Sequence, residues 1–150
     1  LAQTINVLQA VILTEEDKML LTPTYHVMKM YNVHQDAQLI PIEFNSPLYT
    51  FGEKSLPALS ASASKDKNGL IHISVVNIDA IKENTIEIDL KELGVQKMTG
   101  TILSSSKLQD HNTFNNPNKI SPKIFKELEV KNNTLLVKIP AFSVIVLEGK

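Results

Sequence analysis

The sequence predicts a mainly β protein, an antiparallel two-sheet β-sandwich preceded by a short helix–strand–helix unit. Three observations predict it. From Ala37 onward apolar and polar residues alternate with a period of two, the signature of half-buried strands. Turn-forming clusters separate these runs, and no helical pattern intervenes between them, so neighbouring strands are expected to reverse rather than cross over. Before Ala37 the pattern is different: apolar residues fall at helical spacing on either side of a short apolar run.

In "TINVLQAVIL" the residues Ile5, Leu8, Val11 and Ile12 form a helical stripe, widened by Val7 and Leu13, and Thr4 stands where an N-cap belongs. The spacing predicts a helix over Thr4 to Leu13. After the acidic turn "TEEDK", Met19 to Thr22 reads as a short continuous strand, and Pro23 ends it because its ring removes a ladder donor. A second helix is expected from about Thr24 to Val33. The apolar faces of this unit need partners that the segment itself does not contain.

The runs "AQLIPIEF", "LPALSASAS", "LIHISVVNI", "NTIEIDL", "MTGTILSS", "KELEV", "TLLVKIP" and "FSVIVLEG" follow as eight strands. "SKDKNG" (Ser64 to Gly69) and "KNN" (Lys131 to Asn133) favour tight reversals, since Asn and Gly adopt positive φ at little steric cost. Ile71, Ile73 and Val75 should face inward against the other sheet, and His72, alternating with them, should face solvent. Two stretches break the alternation. "EFNSPLYTFGEKS" (Glu43 to Ser55) reads as a linker or a loop packed on a neighbouring domain, and Ser106 to Lys123 is longer than ordinary connections, which marks a loop that is functional or folded onto something.

Composition narrows the function classes. The 150 residues suffice for one domain of ordinary size plus a little more, and 43% apolar with 21% charged residues implies a packed core. The net charge is -1 and all 15 basic residues are Lys, so there is no Arg fork for phosphate or carboxylate and nucleic acid is not an expected partner. Without Cys there is neither a disulfide nor a thiolate metal site. The stretch "AVIL" in the first predicted helix falls far short of the roughly 20 apolar residues of a membrane span. The chain begins at Leu1 with no basic and apolar leader before the fold, so any targeting signal would lie upstream and the compartment is open.

Candidate chemistry is sparse. Ser104 to Ser106, Asp110 and His111 suggest a hydrolytic triad, but adjacent residues form that geometry poorly and no G-x-S-x-G elbow is present. Asp110, His111 and Asn112 read better as turn formers bonded to loop backbone. His26 and His34, eight apart, lie about 80° out of phase on a helix and make no H-E-x-x-H pair, so structural roles are expected and no metal or other cofactor is called for. Glu43, Glu87, Asp89, Glu127 and Glu129 occupy alternating strand positions where solvated charges belong. "NNT" (Asn132 to Thr134) fits the N-glycosylation pattern but is explained by the hairpin turn alone. With no Trp, three Tyr and five Phe, a sugar-stacking platform is poorly supplied.

The order of the segments carries a resemblance. "NVLQAVILTEEDKMLLTPTYHVMKMYNVHQDA", followed by "LPALSASASKD", "HISVVNID", "DHNTFNNPNKISP" and "PAFSVIVLE", resembles the C-terminal part of the α-L-arabinofuranosidases of glycoside hydrolase family 51 over nearly the whole chain. The resemblance implies a division at residue 36: residues 1–36 would be the terminal fragment of a catalytic (β/α)8 barrel, Thr4 to Leu13 its seventh helix, Met19 to Thr22 its eighth strand and Thr24 to Val33 its eighth helix. Residues 37–150 would be the C-terminal β-sandwich. A barrel takes about 250 residues, so most of it would lie upstream.

The resemblance further implies a retaining glycosidase acting on terminal arabinofuranosyl groups of arabinan and arabinoxylan, with two catalytic glutamates on earlier barrel strands and none here. The partners it implies are the upstream barrel, an arabinose-containing polysaccharide or oligosaccharide, and oligomer contacts through the sandwich. Barrel active sites lie at the C-terminal strand ends, which in this chain means Thr22, Pro23, Thr24 and His26; Thr22 and Thr24 are the residues expected to touch substrate in the complete enzyme, where some relatives place a Gln. The alternative from a different class is a free-standing carbohydrate-binding or protein-interaction sandwich.

Overall fold

The computed structural model describes residues 3–150, so the first two positions of the 1–36 unit lie outside it. Thirteen strands and one α-helix follow in the order β1 (Ile12–Glu15), β2 (Lys18–Leu21), α1 (Pro23–Tyr31), β3 (Gln38–Ile40), β4 (Leu48–Phe51), β5 (Lys54–Pro57), β6 (Leu59–Lys65), β7 (Ile71–Asn77), β8 (Asn84–Asp89), β9 (Met98–Ser104), β10 (Lys123–Phe125), β11 (Leu128–Lys131), β12 (Thr134–Ile139) and β13 (Ser143–Gly149). A 3-10 turn, Asn32–His34, extends α1.

The strands build a mainly antiparallel β-sandwich. A six-stranded sheet in the order β10-β9-β13-β7-β6-β3 faces a three-stranded sheet in the order β11-β12-β8. Ile71, Ile73 and Val75 point into the space between them, as expected, where they join Ile145 and Leu147 of β13, Leu135, Val137 and Ile139 of β12, and Leu90, Val95, Met98 and Phe125. Each fully buried aliphatic side chain of this kind stabilises the fold by about 1.5–3 kcal/mol relative to exposure. The turn between β11 and β12 consists of Asn132 and Asn133, with φ of 51° and 60°. Two successive positive φ values match the twist of the flanking strands, which is why the sequence has two Asn there.

The first predicted helix is absent. Residues 4–11 are irregular and end in β1, which pairs antiparallel with β2 through Ile12↔Leu21 to Glu15↔Lys18. Asn6 and Gln9 have φ of 52° and 63°, a left-handed backbone that no α-helix contains. Local bonds hold this alternative: Thr4 carbonyl accepts from the backbone N–H groups of Val11 and Ile12, and the Asn6 side chain both donates to Thr14 Oγ1 (2.8 Å) and accepts from Thr14 N–H (2.7 Å). The apolar spacing that suggested a helix therefore serves a loop and a β-hairpin. The strand expected at Met19 to Thr22 is present as β2, and it pairs antiparallel with β1.

The second predicted helix is present as α1. Pro23 occupies its first turn, where a missing N–H costs nothing. Val27, Met30 and Tyr31 pack with Val33 on Leu103, Ile120, Val144 and Val146, which belong to the outer face of the six-stranded sheet and the loop beyond β9. That sheet is therefore covered on both faces, and β7 is buried along nearly its whole length. His72 is accordingly buried at 3% exposure instead of facing solvent. The period-two pattern of β7 located its inner face; the cover on its outer face comes from Tyr31 at the end of α1 and His34 of the 3-10 turn, far earlier in the chain.

The two irregular stretches also resolve. Glu43 to Ser55 contains β4 and opens β5, an antiparallel hairpin that leaves Leu48, Phe51 and Leu56 exposed. The long loop after β9 is folded inward: Asn112 is buried, and Lys123–Phe125 adds β10 to the sheet edge.

Candidate functional site

The residues expected at the strand end take different positions. Thr22 follows β2, and its hydroxyl is directed at the carbonyl oxygens of Ala10 (3.0 Å) and Val11 (2.9 Å), while its N–H donates to the same Val11 carbonyl. It occupies the N-cap position of α1 without giving the helix a side-chain cap. Thr24, in the first turn of α1, is exposed. His26 turns away from the strand end into a groove of about 470 Å³ between α1 and the sheet, lined also by Lys29, Val33, Thr101 and Glu148. Burial, with the Lys29 charge second, lowers the His26 imidazole below the ordinary value of 6.5, and its Nε2 has no hydrogen-bond partner.

The loop after β9 meets the strand end from the other side. Asn112 Nδ2 donates to the carbonyl oxygens of Leu21 and Ile120, each at 2.9 Å, and Asn112 Oδ1 accepts from Ile120 N–H at 2.7 Å. Both N–H groups of that amide and one oxygen lone pair are thereby engaged, one bond joining the loop to β2 and two closing the loop on Ile120. Asp110 accepts from Ser105 Oγ (2.5 Å) and pairs with Lys119 Nζ at 2.7 Å. These two partners, Lys119 before Ser105, hold its carboxyl below the usual range against an opposing effect of burial. His111 is exposed and bonds through Nδ1 to the Gln109 carbonyl, so no histidine stands between Ser105 and Asp110. The sequence neighbours Ser, Asp and His form loop structure, not a relay.

A polar seam lies beneath the 3-10 turn. His34 Nδ1 meets Ser64 Oγ at 2.7 Å and Nε2 meets Ser74 Oγ at 2.5 Å. The His72 ring stands 6.4 Å from that of His34, with Asp66 Oδ2 3.7 Å from its Nε2 and Glu148 Oε2 3.5 Å from its Nδ1. The Glu148 contact lacks hydrogen-bond alignment, which leaves Nδ1 without a bonded partner. Sequence reasoning missed this grouping because it is assembled by register: Ser64, His72 and Glu148 are direct cross-strand partners on β6, β7 and β13. The structural role expected of His34 fits; the separate, solvated His72 does not.

Glu43, Glu87, Asp89, Glu127 and Glu129 are exposed, as the alternation predicted. Among the described residues no three His, Asp or Glu side chains converge in a manner that could hold a metal ion. No helix among them is long and apolar enough to cross a membrane.

Comparison with known proteins places this arrangement. An intracellular exo-α-L-arabinofuranosidase of Bacteroides ovatus is 46% identical over 149 residues, a match that covers 99% of this chain and 29% of that protein. The crystal structure of the family 51 arabinofuranosidase from Xanthomonas axonopodis pv. citri superposes with a TM-score of 0.96 at 38% identity, over 99% of this chain and 30% of that one. An α-L-arabinofuranosidase from Thermotoga maritima, solved as an arabinose complex, gives a TM-score of 0.84 at 26% identity, over 98% of this chain and 32% of that one. The chain thus spans less than a third of the length of these relatives. Residues 1–143 match the family described as the α-L-arabinofuranosidase C-terminal domain, and the chain belongs to that family.

Proposed function

We propose that this chain is the C-terminal, structural region of a retaining enzyme that hydrolyses terminal non-reducing α-L-arabinofuranosides in arabinan and arabinoxylan, and that the chain alone is catalytically silent. The observation that carries the reading is the coverage: 99% of this chain corresponds to 29% of one arabinofuranosidase and 30% of another. The remaining length of such a protein accommodates a barrel of about 250 residues. Retaining hydrolysis needs two carboxyl groups about 5–5.5 Å apart, and on this reading the upstream barrel supplies both.

The division of labour follows. Residues 1–36 complete the catalytic unit and residues 37–150 form the sandwich that supports it, with α1 as the element shared between them. Thr22, just after β2, and Thr24, in the first turn of α1, approach the sugar in the complete enzyme, and the exposed hairpin apolars Leu48, Phe51 and Leu56 supply contacts between copies. The test is hydrolysis of p-nitrophenyl α-L-arabinofuranoside by this chain and by the same chain joined to the upstream barrel of its Bacteroides ovatus relative. Activity of the joined protein alone supports the proposal. Activity of the isolated chain overturns its silence, and inactivity of both, with retained affinity of the isolated chain for arabino-oligosaccharides, replaces it with a sugar-binding module.

A further inference from the structure

The seam beneath the 3-10 turn sets a half-buried imidazole, His34, beside a buried one, His72, and nothing in the proposed hydrolysis uses them. His34 comes from the Asn32–His34 turn and His72 from the middle of the six-stranded sheet, with ring centroids 6.4 Å apart. The interface between them joins the helical unit to the sandwich. We propose that His34 and His72 form a proton-released latch: at neutral pH the uncharged His34 docks the end of α1 onto β6 and β7, and mild acid detaches it.

The chemistry of the contacts gives the direction. A neutral imidazole has one N–H and one bare nitrogen, and a serine hydroxyl can serve either. Ser64 and Ser74 therefore satisfy both ring atoms of neutral His34 whichever tautomer is present. Protonation turns both ring nitrogens into donors and places a charge in a site with no ion-pair partner of its own: among the described residues the carboxylates near the seam, Asp66 after β6 and Glu148 of β13, stand against His72. The other groups facing the pair are Tyr31 of α1, whose ring lies 5.7 Å from His34, and Lys29, which lines the adjoining groove with Glu148. None offers His34 a counter-charge.

Burial, and then the neighbouring His72, hold the docked His34 imidazole below its ordinary value of 6.5. The undocked form binds the proton more readily, so docking is fully stabilised above about pH 6.5 and is lost as pH falls below it toward the docked value. The Asp66 carboxylate is held low on balance, since burial works against it while the N–H groups of Leu70 and Asn68 and the His72 ring favour the charge. It therefore stays ionised throughout this window, and the event belongs to His34.

The test is amide hydrogen exchange of the full chain between pH 7.5 and 5.0, corrected for intrinsic rates, comparing residues 26–36 with β13 as an internal reference. The expected result is a loss of roughly three- to tenfold in protection confined to residues 26–36, absent in His34→Gln, whose amide still spans two serines, and weakened in His72→Gln. Unchanged protection in the parent chain, or the same loss in His34→Gln, overturns the proposal. Should His34→Gln not fold at pH 7.5, the His34 ring titration followed by NMR in the parent chain decides. A midpoint below 6.5 that coincides with the loss of protection supports the latch, and a midpoint that does not coincide overturns it.

Discussion

The side-chain amide of Asn112 donates to the Leu21 carbonyl across 91 residues, at 2.9 Å, and in doing so ties the long loop after β9 to the strand that precedes α1. The same side chain closes the loop on itself through Ile120, giving and receiving one bond each. Asn112→Ala leaves two carbonyls and one N–H without these partners in a site that water reaches poorly. A buried polar group stranded in this way costs about 1–3 kcal/mol. Urea unfolding should show that loss, and hydrogen exchange should show it first at Leu21, Thr22 and Ile120. A loss below about 0.5 kcal/mol, the range of an ordinary surface substitution, would contradict the role assigned to Asn112.

Gly100 and Gly149 lie where strands pass closest to the core. A Cβ on Gly100 would stand 2.9 Å from Phe125 Cδ1 and 3.0 Å from Leu147 Cδ2, and one on Gly149 would overlap Met98 Sδ and Val95 Cγ1. Since β9 carries β10 on one side and β13 on the other, its backbone cannot retreat without breaking a ladder. Gly100→Ala should therefore destabilise by about 1–3 kcal/mol through overpacking, measurable as a drop in thermal midpoint.

What the sequence revealed, and what it hid, follows one physical division. Alternation within a strand is a local signal, and it located the inner faces of β7, β12 and β13 through residues such as Ile73, Val137 and Ile145. It could not reveal that His72 is buried, because the cover is the 3-10 turn after α1 and its position is set by tertiary packing. At Ile5, Leu8, Val11 and Ile12 the helical spacing was coincidental: Leu8 is 92% exposed, and the local preference of Asn6 for a left-handed backbone, bonded to Thr14, prevailed over periodicity. β10 was missed for a related reason, since three residues, Lys123–Phe125, are too short to show any period. The turn at Asn132 and Asn133 was legible because its chemistry is wholly local. Thr22 and Thr24 were expected at the substrate only through the resemblance, which sets them after a barrel strand, whereas the seam of Ser64, His34, His72 and Glu148 has no sequence signature at all.

Acid should act on the sandwich in a second window, separate from that of His34. The N–H groups of Lys82 and then Ile81 hold the Asp79 carboxyl below the ordinary 3.8, outweighing burial. A carboxylate with a depressed value stabilises the fold at and above its unfolded value and loses that contribution as pH falls through the folded one. Stability is therefore expected to fall below about pH 3.8, and Asp79→Asn, which keeps an acceptor oxygen but cannot titrate, should flatten that limb while lowering stability at pH 7. Urea titrations at pH 3 and pH 7 check this. An Asp79→Asn chain that loses as much between the two as the parent would assign the acid limb to other carboxylates, Asp110 and Asp66 first.

Thr22 and Thr24 can be separated by a pair of substitutions, because the structure gives them unlike surroundings. The Thr22 hydroxyl is held by the carbonyls of Ala10 and Val11, so Thr22→Val removes a bond that fixes the loop before β1 and should cost about 1 kcal/mol. Thr24 is exposed at the start of α1, and Thr24→Ala should change stability by less than about 0.5 kcal/mol. If Thr24 touches the sugar as proposed, the same change in the protein joined to its barrel lowers kcat/KM for an arabinofuranoside by roughly five- to tenfold, the value of one neutral hydrogen bond. The comparison is informative because stability and activity then move apart: Thr22→Val disturbs both, Thr24→Ala activity alone. Unaltered kinetics in Thr24→Ala would remove Thr24 from the substrate site.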